Sequence, residues 1–170
     1  MIGRPQPTET APYYFVYIDQ FAGEDPLATL QAQLADARAL FAEISEEKSR
    51  HRYAPEKWSI RQVVNHISDT ERTFAFRAWW FARGFDSALP SYDQNIAAGA
   101  AGADKVSFAH HVEEFQRVRL STISLYENMP AEAWNRSGIA SEKHFTVRAL
   151  AFIIGGHVAH HLKILRDRYF

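Results

Sequence analysis

The last part of the chain, from Thr146 to the C-terminus, spaces its apolar residues as an α-helix does. With about 100° of rotation for each residue, these side chains fall on one stripe along the helix. The stripe consists of Val147, Leu150, Ala151, Ile154, Val158, Leu165 and Tyr169. A helix that is apolar along one side packs that side against other elements, so the segment predicts a helical domain.

Two earlier segments show the boundary signals of long helices. Asp25 is placed as an N-cap and Pro26 occupies the first helical position, which predicts a first helix that ends near Glu47. Ser59 opens a capping box, which predicts a second helix from Ile60 to Arg83. A glycine follows that range directly, as is common at helix C-termini.

A third helix is expected to begin after Ser107 and to stop before Pro130. The connection over residues 84–106 is about 20 residues long, which is unusual in a compact domain and typical of a functional or disordered loop. No segment shows a convincing strand alternation. We therefore predict an all-α four-helix bundle with a long connection between helices 2 and 3. Residues 1–170 are expected to form a single domain, with a loose N-terminal arm over residues 1–12.

The composition excludes several classes of protein. The 170 residues carry a net charge of -1 with scattered basic residues, so nucleic acid is not expected as a partner. The chain has no cysteine, so any metal must be bound by nitrogen and oxygen. Its apolar runs are far shorter than the roughly 18 to 20 residues that span a bilayer, and the first residues show no apolar signal segment. We expect a soluble, cytoplasmic protein that makes no membrane contact.

Two histidines of the last helix share one helical face. His157 and His161 are four residues apart, so their side chains can bind a single ion, whereas His160 is rotated by about 100° toward a different surface. On the second helix, His66 lies at the margin of the apolar stripe, and facing helices of a bundle can bring it to the pair. The spacing predicts a metal site of three neutral imidazoles with an open position. In the alternative interpretation, the three histidines are ordinary core or interface residues.

Two acidic residues of the second helix have alternative interpretations. Glu71 falls near the centre of the apolar stripe, and a buried carboxylate needs a partner. We favour a structural ion pair with Arg148 or Arg119 over a catalytic role. Asp69 faces further outward, where it either supports a metal ligand or, as we favour, is a solvated surface acid.

Four stretches of the chain carry a family resemblance: APYYFVYID, RYAPEKWSIRQVVNHISDTER, LPSYDQN and TVRALAFIIGGHVAHHLKILRDRY. They extend over nearly the whole chain and resemble the DinB-like superfamily of metal-binding four-helix proteins, in the branch that includes the YfiT-like metal-dependent hydrolases. The three histidine ligands of that family, one on the second helix and an H-x-x-x-H pair on the fourth, fall on His66, His157 and His161. The resemblance thus implies the same residues as the rotation argument.

The resemblance also implies a cofactor and a chemistry. Members of the family bind a divalent metal ion, with zinc or nickel as the usual occupant and water completing the coordination. Relatives include bacillithiol-using transferases, a mycothiol-dependent isomerase and glutathione-related enzymes, so a low-molecular-weight thiol is an expected cosubstrate. A metal lowers the pKa of a bound thiol or water, which suits thiol transfer and hydrolysis alike. Family members commonly form homodimers, and the aromatic-rich second helix could supply apolar contact area for one.

Tyr92, Asp93 and Gln94 match the family motif in the long connection, so the resemblance implies that they border the pocket. Asp93 is a candidate base or water-positioning group, and a plain turn explains it equally well. We predict a divalent-metal-dependent enzyme, either a thiol S-transferase or a hydrolase, that acts on a small molecule. The alternative is a metal-binding stress-response or dimerisation module without catalysis.

Overall fold

A computed structural model describes residues 2–170, which form α-helices and one two-stranded hairpin, and Met1 lies outside the described residues. The helices are α1 (Phe15–Ile18), α2 (Pro26–Ala42), α3 (Ile60–Ala82), α4 (Gln94–Ala100), α5 (Phe108–Glu127) and α6 (Val147–Tyr169). The antiparallel strands are β1 (Ser137–Ala140) and β2 (Lys143–Thr146). The long helices α2, α3, α5 and α6 pack together as a four-helix bundle, which confirms the predicted fold class. Within residues 2–170, no helix is long and apolar enough to cross a membrane.

The long helices begin where the sequence predicts, because a side chain caps each first turn. Asp25 accepts hydrogen bonds from two backbone N–H groups at the start of α2. Ser59 and Gln62 form the capping box of α3, in which each side chain accepts from the backbone N–H of the other residue. Ser107 and Thr146 cap α5 and α6. These caps satisfy backbone donors that the start of a helix leaves without partners.

Helix α2 is shorter than predicted, since it ends at Ala42 instead of continuing to Glu47. The chain leaves the helix and brings Glu46 against Arg61, a buried arginine of α3. Arg61 donates to the backbone O of Glu46 (3.1 Å) and to its carboxylate. The other carboxylate oxygen of Glu46 accepts from the backbone N of Phe108 (2.9 Å). This contact joins the starts of α3 and α5, and local helical spacing carries no information about it.

The short helix α1, helix α4 and the hairpin were absent from the sequence-based prediction. Helix α4 lies within the long connection over residues 84–106. The hairpin lies between α5 and α6, and its turn places Ser141 and Glu142 at φ angles of 51° and 59° without using a glycine. Each strand has four residues, so its alternation is too short to recognise. The hairpin approaches α3 closely, because a Cβ added at Gly138 would lie 2.2 Å from the ring of Phe81.

The N-terminal arm is docked on the bundle, in contrast to the loose segment expected over residues 1–12. Glu9 is buried, and its carboxylate accepts hydrogen bonds from Nε of Arg148 (3.0 Å) and from the hydroxyl of Thr146 (2.7 Å). Arg4 donates to the last backbone carbonyl of α1 (2.7 Å). Burial alone would raise the pKa of Glu9, but its hydrogen bonds lower the pKa below the ordinary value. The prolines of the arm suggested mobility, whereas this ion pair depends on a residue far away in the chain.

A buried ion pair connects all four long helices. Arg119 of α5 donates to both carboxylate oxygens of Glu71 on α3 (2.8 and 2.9 Å). The same guanidinium donates to Oε1 of Gln33 on α2 (2.8 Å), and Nε2 of Gln33 donates to the backbone O of Gly155 on α6 (2.8 Å). The predicted structural ion pair of Glu71 is therefore confirmed with Arg119 as the partner. Arg148, the other candidate, binds the N-terminal arm instead.

Replacing Glu9 with Gln is expected to lower the free energy of unfolding at pH 7 by about 1 to 3 kcal/mol, because charge-assisted hydrogen bonds are lost. The pKa of Glu9 is depressed in the folded chain. Its stabilisation is therefore fully present above its ordinary pKa of 4.5 and is lost as the pH falls through the folded value. Denaturant unfolding at a series of pH values measures both effects.

The control for this prediction is Glu56→Gln, because Glu56 is exposed. This change is expected to leave the free energy of unfolding within about 0.5 kcal/mol of the wild type at every pH. If both substitutions had equal effects at pH 7, the docked arm would not depend on the Glu9 carboxylate.

Candidate metal centre

Three imidazoles converge where α3 and α6 pack together. Nε2 of His66 on α3 lies 3.1 Å from Nε2 of His157 on α6, which lies 3.1 Å from Nε2 of His161. All three nitrogen atoms lie within 4.8 Å of one another. Nitrogen ligands of a tetrahedral zinc ion, at about 2.0 to 2.1 Å from it, are separated by about 3.3 Å. The donor set therefore fits a divalent metal ion and leaves one coordination position for another ligand.

The helical spacing decides which histidines take part. His157 and His161 are one turn apart on α6, so their rings meet edge to face with centroids 4.4 Å apart. His160 lies on another face: its Nδ1 is 3.1 Å from Nε2 of Gln20, and its ring packs against Tyr17. The structure thus brings together the three histidines that the sequence analysis selected and leaves His160 outside the cluster.

The three clustered histidines are neutral at pH 7. His66 and His157 are buried and His161 is partly buried. Burial lowers the pKa of His66 to about 4. Burial, together with the neighbouring histidines, lowers the pKa of His161 to about 3 and that of His157 well below its ordinary value. Because a metal binds the neutral imidazole, burial keeps all three side chains ready to bind an ion.

His66 is held in place by groups around its ring. The ring packs against Trp58 at a centroid distance of 4.8 Å. Its Nδ1 lies 3.4 Å from Oγ1 of Thr70, which shares a 2.8 Å hydrogen bond with the hydroxyl of Tyr92. Such outer contacts fix the orientation and tautomer of a ligating histidine. Through Thr70, the long connection therefore reaches the histidine cluster.

Two acidic candidates lie outside the cluster. Asp69 forms a surface ion pair with Arg72 (3.2 Å), and burial raises the pKa of its carboxyl group. Asp93 is exposed and caps α4, because its Oδ1 accepts from two backbone N–H groups of the first turn (2.7 and 3.1 Å). Within residues 2–170, neither carboxylate forms a hydrogen bond to a clustered histidine.

A cavity of about 200 Å³ opens beside the cluster. It is bordered by the segment that contains α1, by α3, by the long connection and by the hairpin turn. The lining residues are Tyr13, Tyr14, Tyr17, Thr70, Phe74, Arg77, Ser91, Tyr92, Gln94, Ser141 and His157. Tyr92 and Gln94, which the family resemblance placed at the pocket, are among them, and Asp93 between them is not.

Sequence reasoning assigned no role to Arg77, Tyr14 or Tyr17, which line the same cavity. Arg77 follows His66 by eleven residues, so three helical turns place the two on nearly the same face of α3. That spacing is visible in the sequence and could have drawn attention to Arg77. The tyrosines lie in the stretch APYYFVYID, whose pattern does not show that this segment folds over α6.

A larger hollow of about 510 Å³ lies between α2 and α6 and does not include the clustered histidines. Its wall contains Gln33, Asp36 and Arg166 among mostly small side chains. We place the candidate site at the smaller cavity, because convergent imidazoles, phenols and a buried guanidinium supply chemistry there that the larger hollow lacks.

Two glycines allow α1 to approach α6 closely. A Cβ added at Gly156 would lie 2.0 Å from the backbone O of Tyr17, and a Cβ added at Gly155 would lie 2.3 Å from the ring of Phe21. The close approach places the ring of Tyr17 against His157, with centroids 5.3 Å apart. Since the obstacle at Gly156 is backbone, α1 can cover this side of the cluster only if that position lacks a side chain.

The bundle and its cluster define a class of helical proteins that can hold a metal ion between two facing helices. The chain belongs to the DinB superfamily, whose family profile matches residues 29–165. Its fold is similar to that of YfiT from Bacillus subtilis, described as a probable metal-dependent hydrolase with an unusual four-helix bundle topology. The TM-score is 0.65 at 15% sequence identity, over 96% of this chain and 91% of that chain. Comparison with curated proteins finds no match.

Replacing Gly156 with Ala is expected to lower the free energy of unfolding by about 1 to 3 kcal/mol, because the added methyl group forces α1 away from α6. Gly99→Ala is the matched control, since nothing lies within 4 Å of a Cβ added at Gly99 in α4. The control is expected to be neutral or stabilising by up to about 1 kcal/mol. Urea unfolding measures both variants, and a Gly156→Ala protein as stable as the wild type would contradict the close approach.

Proposed function

We propose that this protein is a divalent-metal-dependent enzyme in which His66, His157 and His161 bind the ion. The observation that carries the proposal is the convergence of three Nε2 atoms beside a cavity of about 200 Å³. Three protein ligands leave a coordination position open, which is typical of catalytic sites. Zinc and nickel are the proposed ions, because both bind imidazole nitrogen well.

The proposed reaction is hydrolysis of a small molecule or transfer of a low-molecular-weight thiol to one. The bound ion would lower the pKa of a water or thiol that reaches the open position. The protein's own part is to hold three neutral imidazoles, to orient His66 through Thr70 and Tyr92, and to exclude bulk water with the ring of Tyr17. The hydrolase description of the YfiT fold supports the first reaction. A chain without cysteine would take the sulfur of the second from a cosubstrate.

Tyr92 and Gln94 are proposed to contact the substrate, since both line the cavity. Asp93 is proposed to act mainly by position: as the N-cap of α4 it fixes its two neighbours in the cavity wall. The proposed compartment is the cytoplasm, where low-molecular-weight thiols are kept reduced.

The first experiment is elemental analysis of the purified, untagged protein and its single alanine variants. The wild type is expected to contain about one equivalent of zinc or nickel, and His66→Ala, His157→Ala and His161→Ala are each expected to lose it. His160→Ala is the control, because His160 shares the helix but lies outside the cluster. A metal-free wild type, or equal metal loss in His160→Ala, would contradict the proposed ligand set.

Turnover of the same preparations distinguishes the two reactions. Hydrolysis predicts release of nitrophenol from a small nitrophenyl ester without added thiol. Thiol transfer predicts thiol-dependent consumption of an electrophile such as chlorodinitrobenzene. In either case the activity is expected to follow the metal content across the four variants, and an activity that persists without metal would exclude the proposed role of the ion.

A second candidate function is a metal-binding stress-response or dimerisation module, and an exposed aromatic patch supports it. The patch consists of Phe76, Trp79, Trp80 and Phe85, with Trp80 and Phe85 stacked at a centroid distance of 4.2 Å. Phe76 and Phe85 are 49% and 44% exposed, which is unusual for large aromatic side chains that lie side by side. We propose that the patch forms a homodimer interface, which is compatible with the enzyme proposal as well.

Replacing Trp79 with Lys is expected to convert the proposed dimer to a monomer, because a charge would be buried in an apolar interface. Leu120→Lys is the control, since Leu120 is also exposed (56%) but lies on α5 outside the patch. Sedimentation velocity at several concentrations measures the association. A monomeric wild type, or dimerisation that survives Trp79→Lys, would exclude this interface.

A further inference from the structure

Arg77 is a buried cation without an acidic partner. Its side chain is 4% exposed, and Nη2 donates to the backbone O of Pro90 (3.1 Å) and to Oγ of Ser141 (2.8 Å). The two other buried arginines, Arg61 and Arg119, each bind a carboxylate. Within residues 2–170, no carboxylate lies within ion-pair distance of Arg77. A buried charge is costly unless an opposite charge compensates it, so the fold leaves a charge here to be neutralised.

The groups around Arg77 do not supply that charge. Its two hydrogen-bond acceptors, the backbone O of Pro90 and Oγ of Ser141, are neutral, and so is the nearby hydroxyl of Tyr14. Burial raises the pKa of Tyr14 and of Tyr92, so both phenols stay uncharged at pH 7. The rings of Phe74 and Phe145 lie 5.4 and 5.9 Å from the guanidinium and offer cation–π contacts, which are weaker than an ion pair.

Arg77 faces the same cavity as the histidine cluster. It lines that cavity together with His157, and none of the lining residues is acidic. Eleven residues of α3 separate His66 from Arg77, which is about 16 Å of helix at almost the same rotation. Long side chains on a helix lean toward its N-terminus, which is the direction from Arg77 to His66 along α3. Arg77 on α3 and His157 of the cluster on α6 thus line the same cavity.

We propose that Arg77 binds a carboxylate of the substrate, so that the protein acts on small organic acids whose reacting group faces the three histidines. The inference rests on the proposed function of the histidine site and names the substrate class for it. A planar guanidinium matches a carboxylate in a bidentate pair. A single buried positive charge suits this monoanion better than a dianionic phosphate. A cavity of about 200 Å³ suits an acid with a few carbon atoms beyond the reacting group.

A purely structural role for Arg77 makes a different prediction. Its bonds to Pro90 and Ser141 tie the long connection to the hairpin turn, and a neutral hydrogen-bond donor would serve that purpose. A structural clamp would not make the protein prefer an anion over a neutral molecule of the same shape. The preference for charge is therefore the quantity to measure.

The test compares propionate with propionamide as ligands of the protein as purified, by NMR chemical-shift titration. The wild type is expected to bind propionate saturably and at least about fivefold more tightly than propionamide, since charge-assisted hydrogen bonds are the stronger ones. Arg77→Met keeps much of the side-chain volume and is expected to abolish the difference. Arg72→Met is the control: it makes the same change of net charge on the exposed side of α3 and should preserve the difference.

The metal content of each preparation separates this inference from the proposed function. Loss of the preference in Arg77→Met supports the inference even if the wild type proves metal-free, which would refute only the metal proposal. If metal is present and the wild type binds both ligands equally, the inference is wrong and the metal proposal stands. Persistence of the preference in Arg77→Met, as direct binding of propionate to the metal would give, also overturns it.

Arg77→Lys provides a second test if the Arg77→Met variant does not fold. It keeps the charge and loses the planar fork, so the preference for propionate is expected to persist with affinity reduced severalfold. A lysine variant that binds propionate and propionamide equally would contradict the assigned role.

Discussion

The ion pair between Glu71 and Arg119 is the contact on which the geometry of the histidine cluster depends. Both side chains are almost completely buried, and Arg119 extends the contact through Gln33 to the backbone of Gly155, two residues before His157. Removing one partner of such a pair leaves an uncompensated buried charge, so helix arrangements that open the pair are disfavoured. The observed packing keeps the pair closed and also brings His66 of α3 to His157 of α6.

The parts of the fold that follow from local spacing could be predicted from the sequence. The N-cap residues Ser59 and Thr146 mark the starts of α3 and α6. Rotation along those helices separates His160 from the three clustered histidines. Local spacing could not reveal the docked arm, because Glu9 binds Arg148 across nearly the whole chain. The hairpin was not predicted for another reason: its four-residue strands show too little alternation to be distinguished from a loop.

The candidate site shows the same division between local and distant information. The three histidines could be recognised because helical spacing predicts on which face of its helix each one lies. Arg77 lies on that face too, but what distinguishes it is the lack of an acidic partner, which only the tertiary structure shows. The sequence offered two candidate partners for Glu71, and the structure shows that Arg119 is the partner because α5 packs against α3. A single sequence therefore does not show which charged residues pair in the core.

Helix α3 separates its proposed tasks by face. His66 and Arg77 differ by about 20° of rotation, whereas Trp79 lies about 200° from Arg77 and carries the exposed aromatic patch on the opposite side. A partner bound to the patch would therefore stabilise α3 from the side opposite the cavity and would leave the cavity open. Because His66 and Arg77 both project from this helix, bending it would alter their separation, and bracing α3 would hold that separation constant. The proposed dimer and the proposed organic-acid site are then linked through the stiffness of one helix.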